Sequence, residues 1–443
     1  MRLVSKPLAC CALCAVLGAF QGLSAQAVSA GEKRIPVDPA AQELNRLLTA
    51  AQEAIDRQDY AAAAQRYQDY LVKKPDDATV HYDFGYVYSA LKQPADAKNE
   101  YEKAIALNPK MGAAYQNLGL TLLSTDPAAA IAPLQKAAEL LPGDGRTKWL
   151  LGEALEKSDK LAAAIEQYQS AEKLDQKDPE IRLSLGRALL SAGRPGEAEP
   201  AFREALALHP TGASLAEVHL RLAQALIAEK KLDEGASELA LYLQVSPNDP
   251  SARITHASIL VDMGKDDEAL GELDQAATAG PEGLRALKLR SQIYFEKKLY
   301  DDDIPVLQKA AALAPKEPDI AARLGRVYLL KKDYPNSVHW LAAAYNMDTT
   351  ATDLLGEAIE AEYLDKNYAG ALAGLDELAK RKELPLGSWY MRATCYDHLG
   401  QAAPALDAYQ KFLQLNKDEN SDMYFVSTAR VRVLTRELQN KKR

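Results

Sequence analysis

The chain has 443 residues, is 47% hydrophobic with few aromatics apart from tyrosine, and carries a net charge of −9. An acidic balance argues against partners held through Lys and Arg on phosphate, so no nucleic acid is expected. Ala and Leu are abundant and β-branched runs are scarce, which favours helices over sheet.

Residues 1–30 read differently from the rest. Arg2 and Lys6 precede an apolar run from Leu8 to Phe20, and Ala25-Gln26-Ala27 and Val28-Ser29-Ala30 each offer a small-x-small cleavage site. This pattern predicts a secretory signal peptide over 1–30, too short to span a bilayer as an ordinary helix. Cys10, Cys11 and Cys14 lie in the run without a lipoprotein cleavage motif, so no lipid anchor is expected. Its removal leaves Cys395 as the sole cysteine, which excludes an internal disulfide framework and predicts a buried, inert thiol. The expected location is outside the cytoplasm: the periplasm first, the extracellular space as alternative, with no stable membrane insertion after cleavage.

A flexible lead is expected over 31–43, with helical periodicity starting near Ala41. From there three series run at a shared period of about 34 residues. Small residues stand at Ala63, Ala97, Ala130, Ala164, Ala198, Gly235, Ala269, Ser337, Ala371 and Ala405, with Asp303 in the one slot that breaks the rule. Prolines follow twelve residues after most of them, at 75, 109, 142, 210, 247, 281 and 315. Glycines precede by twelve at 85, 152, 186 and 325. Two helices cross closely only where side chains are small, and a closing proline stops the second helix. Tyr67, Tyr101, Tyr168, Phe202 and Tyr409 share one slot of the second helix and are expected to fill the gap to the next repeat. Pro133, Pro200, Pro305 and Pro404 are expected near the first turn of second helices.

The copies Tyr115-Gln116-Asn117-Leu118-Gly119-Leu120-Thr121-Leu122 and Ile181-Arg182-Leu183-Ser184-Leu185-Gly186 carry the pattern W/Y/L-x-x-L-G-x-x-Y/L most fully. In this the chain resembles the tetratricopeptide repeat family, whose unit is a helix-turn-helix of this length. The resemblance implies an all-α fold: a right-handed superhelical solenoid of about eleven repeats over 44–420. By the family's frame the copies begin near Leu44, Ala78, Gly112, Gly145, Pro179, Ala216, Pro250, Leu284, Pro318, Thr352 and Leu386. Departures are local. Ser124 to Pro127 shorten a turn, Thr211 to Ser214 add three positions, Asp303 and Arg290 break apolar slots of the eighth copy, and Ile359 replaces a small residue in the tenth. Residues 421–443 do not repeat. Phe425, Val426, Ala429, Val433 and Leu434 form a stripe that predicts a capping helix over the last repeat, followed by a basic tail.

No His-Glu-x-x-His, Gly-x-Ser-x-Gly or phosphate-cradling Gly-x-x-x-x-Gly-Lys is present, and the six histidines match no zinc spacing. The expectation is a non-enzymatic protein with no catalytic residues, no metal and no cofactor. The resemblance implies a concave groove lined by first helices. Mapped onto this chain, its positions give Tyr82, Tyr86, Asn117, Trp149, Arg187, Arg221, Gln224, Lys288, Gln292, Arg323, Arg326, Tyr363 and Tyr390 as ligand-groove residues. Trp, Tyr and Arg are frequent interface anchors, and Arg grips carboxylates with paired bonds. The bland alternative is a solvated face whose charges pair with neighbours, since Glu180, Glu217, Asp262 and Asp319 fall in the same band.

The resulting expectation is an exported scaffold that binds a protein or peptide in the groove, in envelope assembly, secretion or export. The alternatives are an accessory that binds a polysaccharide and a docking subunit of an enzyme complex.

Overall fold

A computed structural model describes residues 38–441 apart from 279 and 282. The expected signal peptide and most of the lead lie outside the described residues. The chain divides into two compact units, the first ending at Leu141 and the second beginning at Pro142.

The first unit holds three helical hairpins: α1 (Pro39–Asp56) with α2 (Tyr60–Lys73), α3 (Ala78–Ala90) with α4 (Pro94–Leu107), and α5 (Gly112–Leu123) with α6 (Pro127–Leu140). The second holds eight: α7 (Gly145–Glu156) with α8 (Leu161–Leu174), α9 (Pro179–Ser191) with α10 (Pro195–Ala207), α11 (Gly212–Ala228) with α12 (Leu232–Val245), and α13 (Pro250–Asp262) with α14 (Asp266–Thr278). They continue with α15 (Leu284–Glu296) and α16 (Tyr300–Leu313), α17 (Pro318–Leu330) and α18 (Tyr334–Met347), α19 (Thr352–Leu364) and α20 (Tyr368–Ala379), then α21 (Leu386–His398) and α22 (Ala402–Leu415). A last helix, α23 (Asp422–Lys441), follows. No strand occurs among the described residues. Within each unit the second helix of a hairpin also lies against the first helix of the next. This is the expected all-α solenoid of helix-turn-helix repeats.

Most first helices begin at the expected residue. Two do not. Helix α1 starts at Pro39, inside the lead expected over 31–43, because the Asp38 carboxylate accepts from the Ala40 N–H and proline opens the helix. The extra residues before the sixth copy extend α11 back to Gly212, adding a leading turn.

In every hairpin but the third the turn passes through one left-handed residue: Gln58, Lys92, Asp159, Gly193, Lys230, Gly264, Lys298, Lys332, Lys366 and Gly400. The third hairpin has none. Its missing residue is taken from this turn, and α5 ends one residue early at Leu123.

Packing inside a hairpin couples a small residue of the first helix to a large one sixteen residues later. A Cβ built on Gly85 would fall 2.7 Å from the Tyr101 ring, one on Gly152 2.5 Å from Tyr168, and one on Gly186 2.5 Å from Phe202. These rings therefore cover the glycine of their own hairpin, a role the repeat pattern assigned to the gap between hairpins. Tyr101 also reaches Leu118 of the next hairpin, so one ring serves both junctions. Pro133, Pro200 and Pro305 sit in the second turn of α6, α10 and α16, beyond the expected first turn. The carbonyls they leave without a donor belong to Ala129, Gly196 and Asp301, all exposed residues at helix starts, where a free carbonyl is least costly.

Cys395 is fully buried, and burial pushes its thiol up to about 11, as an inert core cysteine requires. Asp303 is also fully buried in its small-residue slot, with neither carboxylate oxygen in a hydrogen bond. Arg290, also buried in the eighth copy, reaches Asp274 at 2.8 Å.

Helix α23 packs on α22 through Ser427, Val431 and Leu434. Phe425, Val426, Ala429 and Val433 point away from α22 into solvent, so of the expected stripe only Leu434 is buried. An amphipathic pattern shows that a face is apolar; it does not show which neighbour covers it.

Candidate functional site

First helices of successive hairpins lie side by side, α3 with α5 in the first unit and α7 with α9, α9 with α11, and α13 with α15 in the second. Side chains on this row meet at intervals of 28 to 35 residues, one repeat apart.

In the first unit Asn117 on α5 donates from Nδ2 to the Tyr82 hydroxyl on α3 at 3.2 Å. Tyr86 is half exposed, and burial, then the neighbouring Tyr60 of α2, push its hydroxyl above the usual phenol value. Next to these, burial and then the Asp77 charge push the Asp83 carboxyl up to about 6.

In the second unit Trp149 donates from Nε1 to Ser184 Oγ at 3.0 Å, tying α7 to α9. Arg187 on α9 donates Nε and Nη2 to the Glu156 carboxylate at 3.2 and 3.1 Å, and the Tyr168 hydroxyl donates to the same carboxylate at 2.7 Å. Burial opposes the Arg187 charge, but the bonded carboxylate outweighs it and raises the pKa. Arg221 donates from Nη1 to Gln224 at 3.2 Å and its Nε lies 3.6 Å from Glu217 on the same helix α11, without a hydrogen bond from that buried Nε.

Further along, Lys288 on α15 reaches Glu317 at 3.1 Å, and Gln292 donates to Glu296 at 3.0 Å. Arg323 on α17 lies over the Phe295 ring of α15, 5.4 Å from its centroid. Arg326 grips Glu357 of α19 with Nε and Nη2 at 2.7 and 2.9 Å. The Tyr363 hydroxyl accepts from Thr394 at 3.2 Å, and its ring stands edge-on to Tyr368. Tyr390 turns against Tyr409 and Phe412 of α22, so it joins the terminal core more than an open surface.

The basic band is thus paired, though not with the carboxylates that share it in sequence, except Glu217. Its partners Glu156, Glu317 and Glu357, and the ring of Phe295, went unrecognised. The signal that finds them is an opposite charge about 30 residues away, which is the repeat period read along one face.

These pairs differ in strength. Glu156 and Arg187 are about one fifth and one quarter exposed, so their bidentate contact is structural. Lys288 with Glu317, and Arg326 with Glu357, are more open, and exposed ion pairs contribute ~0–1 kcal/mol. Of the two, Glu317 is the more open, with a single contact, while Glu357 is held by two bonds. The same hairpins hold three histidines against second-helix glutamates: His81 with Glu100, His219 with Glu238 and His256 with Glu272. No group of side chains among the described residues is arranged to hold a metal ion, and no described helix is long and apolar enough to cross a membrane.

Profiles of the tetratricopeptide repeat match residues 124–179, 150–213 and 254–318, a second profile 189–252, and a third 78–111 and 386–419. Together they take in more than half of the chain, and the last profile begins at the starts of α3 and α21. No curated protein matches. Among solved structures, MamA residues 41 to the end from Desulfovibrio magneticus RS-1 is 22% identical, with a TM-score of 0.37 over 38% of this chain and 94% of that one. PilF of Pseudomonas aeruginosa is 23% identical, with a TM-score of 0.39 over 46% and 92%. YrrB, described as a TPR protein with an unusual peptide-binding site, is 21% identical, with a TM-score of 0.39 over 43% and 97%. The assignment rests on the repeat profiles, the hairpin starts and the small-to-large packing rule: the chain belongs to the tetratricopeptide repeat family.

Proposed function

We propose that this protein is a non-enzymatic scaffold that binds an acidic protein segment on the first-helix face of its second unit. The observation that carries the reading is the row Lys288, Arg323 and Arg326 on α15 and α17. Glu317 beside Lys288 is exposed, while the Phe295 ring under Arg323 and the Glu357 carboxylate on Arg326 are half-buried. Packing on both sides presets the row, so a ligand carboxylate meets donors whose ordering is already complete. Arg187, locked with Glu156 and Tyr168, belongs to the framework, and Tyr363 and Gln292 flank the row.

A protein ligand is favoured over a polysaccharide. The aromatic groups that would hold sugars are engaged with neighbours: Trp149 Nε1 with Ser184, the Tyr82 hydroxyl with Asn117, and Tyr390 with α22. We place the protein outside the cytoplasm, in the periplasm, on the pattern of residues 1–30 alone; intact mass of the mature N-terminus tests cleavage at Ala27 or Ala30. Binding is tested by affinity capture from the native envelope with the parent chain and with Arg221, Arg323 and Arg326 all changed to Glu. The parent is expected to retain a partner that the triple variant loses. Survival of every captured protein in the variant overturns the assignment.

A further inference from the structure

Helix α23 repeats the register of a first helix. In α9, Arg187 bonds Glu156 of α7, and Tyr168 of α8 bonds the same carboxylate. In α23, Arg430 donates Nε to Asp397 of α21 at 2.7 Å, and Tyr409 of α22 bonds Asp397 at 3.3 Å. The tyrosine follows the carboxylate by 12 residues in both triads, and the arginine follows it by 31 in one and 33 in the other; aligned on the arginine, Arg182, Gly186 and Leu189 of α9 correspond to Phe425, Ala429 and Arg432 of α23. The three in α9 are buried. Phe202 of the second helix α10 sits on Gly186, and Glu204 of the same helix bonds Arg182. Their counterparts in α23 are exposed, Phe425 by 76%. No second helix lies on this face among the described residues.

The vacant face has a definite chemistry. Met423, Phe425, Val426, Ala429 and Val433 make it apolar. Arg432 and Arg436 border it, both exposed and without an ion-pair partner among the described residues. We propose that the exposed face of α23 docks an amphipathic helix of a partner protein, apolar on one side and acidic at its flanks, in the place a second helix holds in the complete hairpins. A leucine or aromatic residue of that helix seats on Ala429, as Phe202 seats on Gly186, and its carboxylates meet Arg432 and Arg436. A second copy stacking its α1 here is disfavoured, because the exposed side of α1 carries Gln42, Asn45, Arg46, Thr49, Gln52 and Glu53. The site is separate from the Lys288 to Arg326 row.

The probe is a fluorescent, helix-stapled peptide with the sequence of α12, residues 232–245. That helix is acidic through Asp233, Glu234 and Glu238, and its Leu239 packs with Ala223 of α11 in the sixth hairpin. Stapling is needed because isolated helices of this length are marginal in water. Anisotropy titration with the full chain is expected to give saturable binding. Val426→Asp with Val433→Asp should weaken it at least about tenfold, and Arg432→Glu with Arg436→Glu at least about threefold. All four positions are solvent-exposed, and circular dichroism checks that helix content is kept. The proposal is overturned by any of four results. These are no saturable binding to the parent chain, equal binding by the variants, a self-associated chain that the Val426/Val433 variant converts to monomer, or stripe-dependent binding to phosphatidylglycerol vesicles while the peptide fails to bind.

Discussion

Gly374 of α20 lies under Ile359 of α19: a Cβ built on the glycine would fall 2.5 Å from Ile359 Cγ1. In the tenth hairpin the first helix carries bulk at the usual small slot, Leu375 keeps the large slot sixteen residues on, and the neighbouring Gly374 makes the room. Gly374→Ala should destabilise the protein by ~1–3 kcal/mol, the usual cost of overpacking. Combining it with Ile359→Ala should recover part of that loss, and a double-mutant cycle by denaturant unfolding measures the coupling. Additive effects would show that the two residues do not share one space.

Lys298, Lys332 and Lys366 close their hairpins with φ of 57, 62 and 63°, where Gly193, Gly264 and Gly400 serve elsewhere. A side chain in this region costs about 1 kcal/mol that glycine avoids. Each Lys→Gly change should therefore raise the thermal midpoint, and the three together should add. Lys→Ala at the same sites should give no such gain.

Asp303 ties stability to pH. Burial pushes its carboxyl up to about 6, against an opposing pull from the Arg323 charge. The folded state thus holds the proton more tightly than the unfolded chain, whose value is about 4. The contribution is complete below about pH 4 and is lost as pH rises through 6. Asp303→Ala restores the small residue of the other repeats. It should stabilise by on the order of 1–3 kcal/mol at pH 8 and by little at pH 4. Thermal melts of parent and variant across pH 4–8 read the difference, and parallel curves would remove Asp303 as the cause. Asp83, pushed up to about 6 by burial and Asp77, leaves a second such dependence in the first unit.

His81 stands between two acceptors, Glu100 Oε2 at 2.5 Å from Nδ1 and the Pro75 carbonyl at 2.8 Å from Nε2. At the same slot of the seventh hairpin, Arg253 joins Glu272 at 2.6 Å and the Pro247 carbonyl at 2.8 Å. The chemistry required is a donor at both ends. His81→Arg should fold with near-parent stability, whereas His81→Leu leaves Glu100 with Lys103 alone and the Pro75 carbonyl without its donor, and should cost ~1–3 kcal/mol. Equal melting of the two variants would refute the staple.

Much of the architecture was legible because packing repeats: glycines at 85, 152 and 186 demand large partners sixteen residues on, and the helices begin where the period places them. The face chemistry was less legible. Arg326 finds Glu357, not the nearer Asp319, since the pairing runs across repeats and a charge's neighbours on its own helix are poor guides. The Phe425 stripe was read as covered because its periodicity fits a helix; only the Arg430 to Asp397 triad shows which side meets α22. The proline positions misled for a simpler reason: a carbonyl at an exposed helix start can be left to water.

The cross-repeat bonds Arg187 to Glu156 and Arg326 to Glu357 each reach one neighbour and no farther. Under mechanical load such a chain has no long tie to share the tension. Pulling from its end should detach hairpins one after another, each release lengthening the tether by roughly 34 residues of extended chain, on the order of 110 to 120 Å.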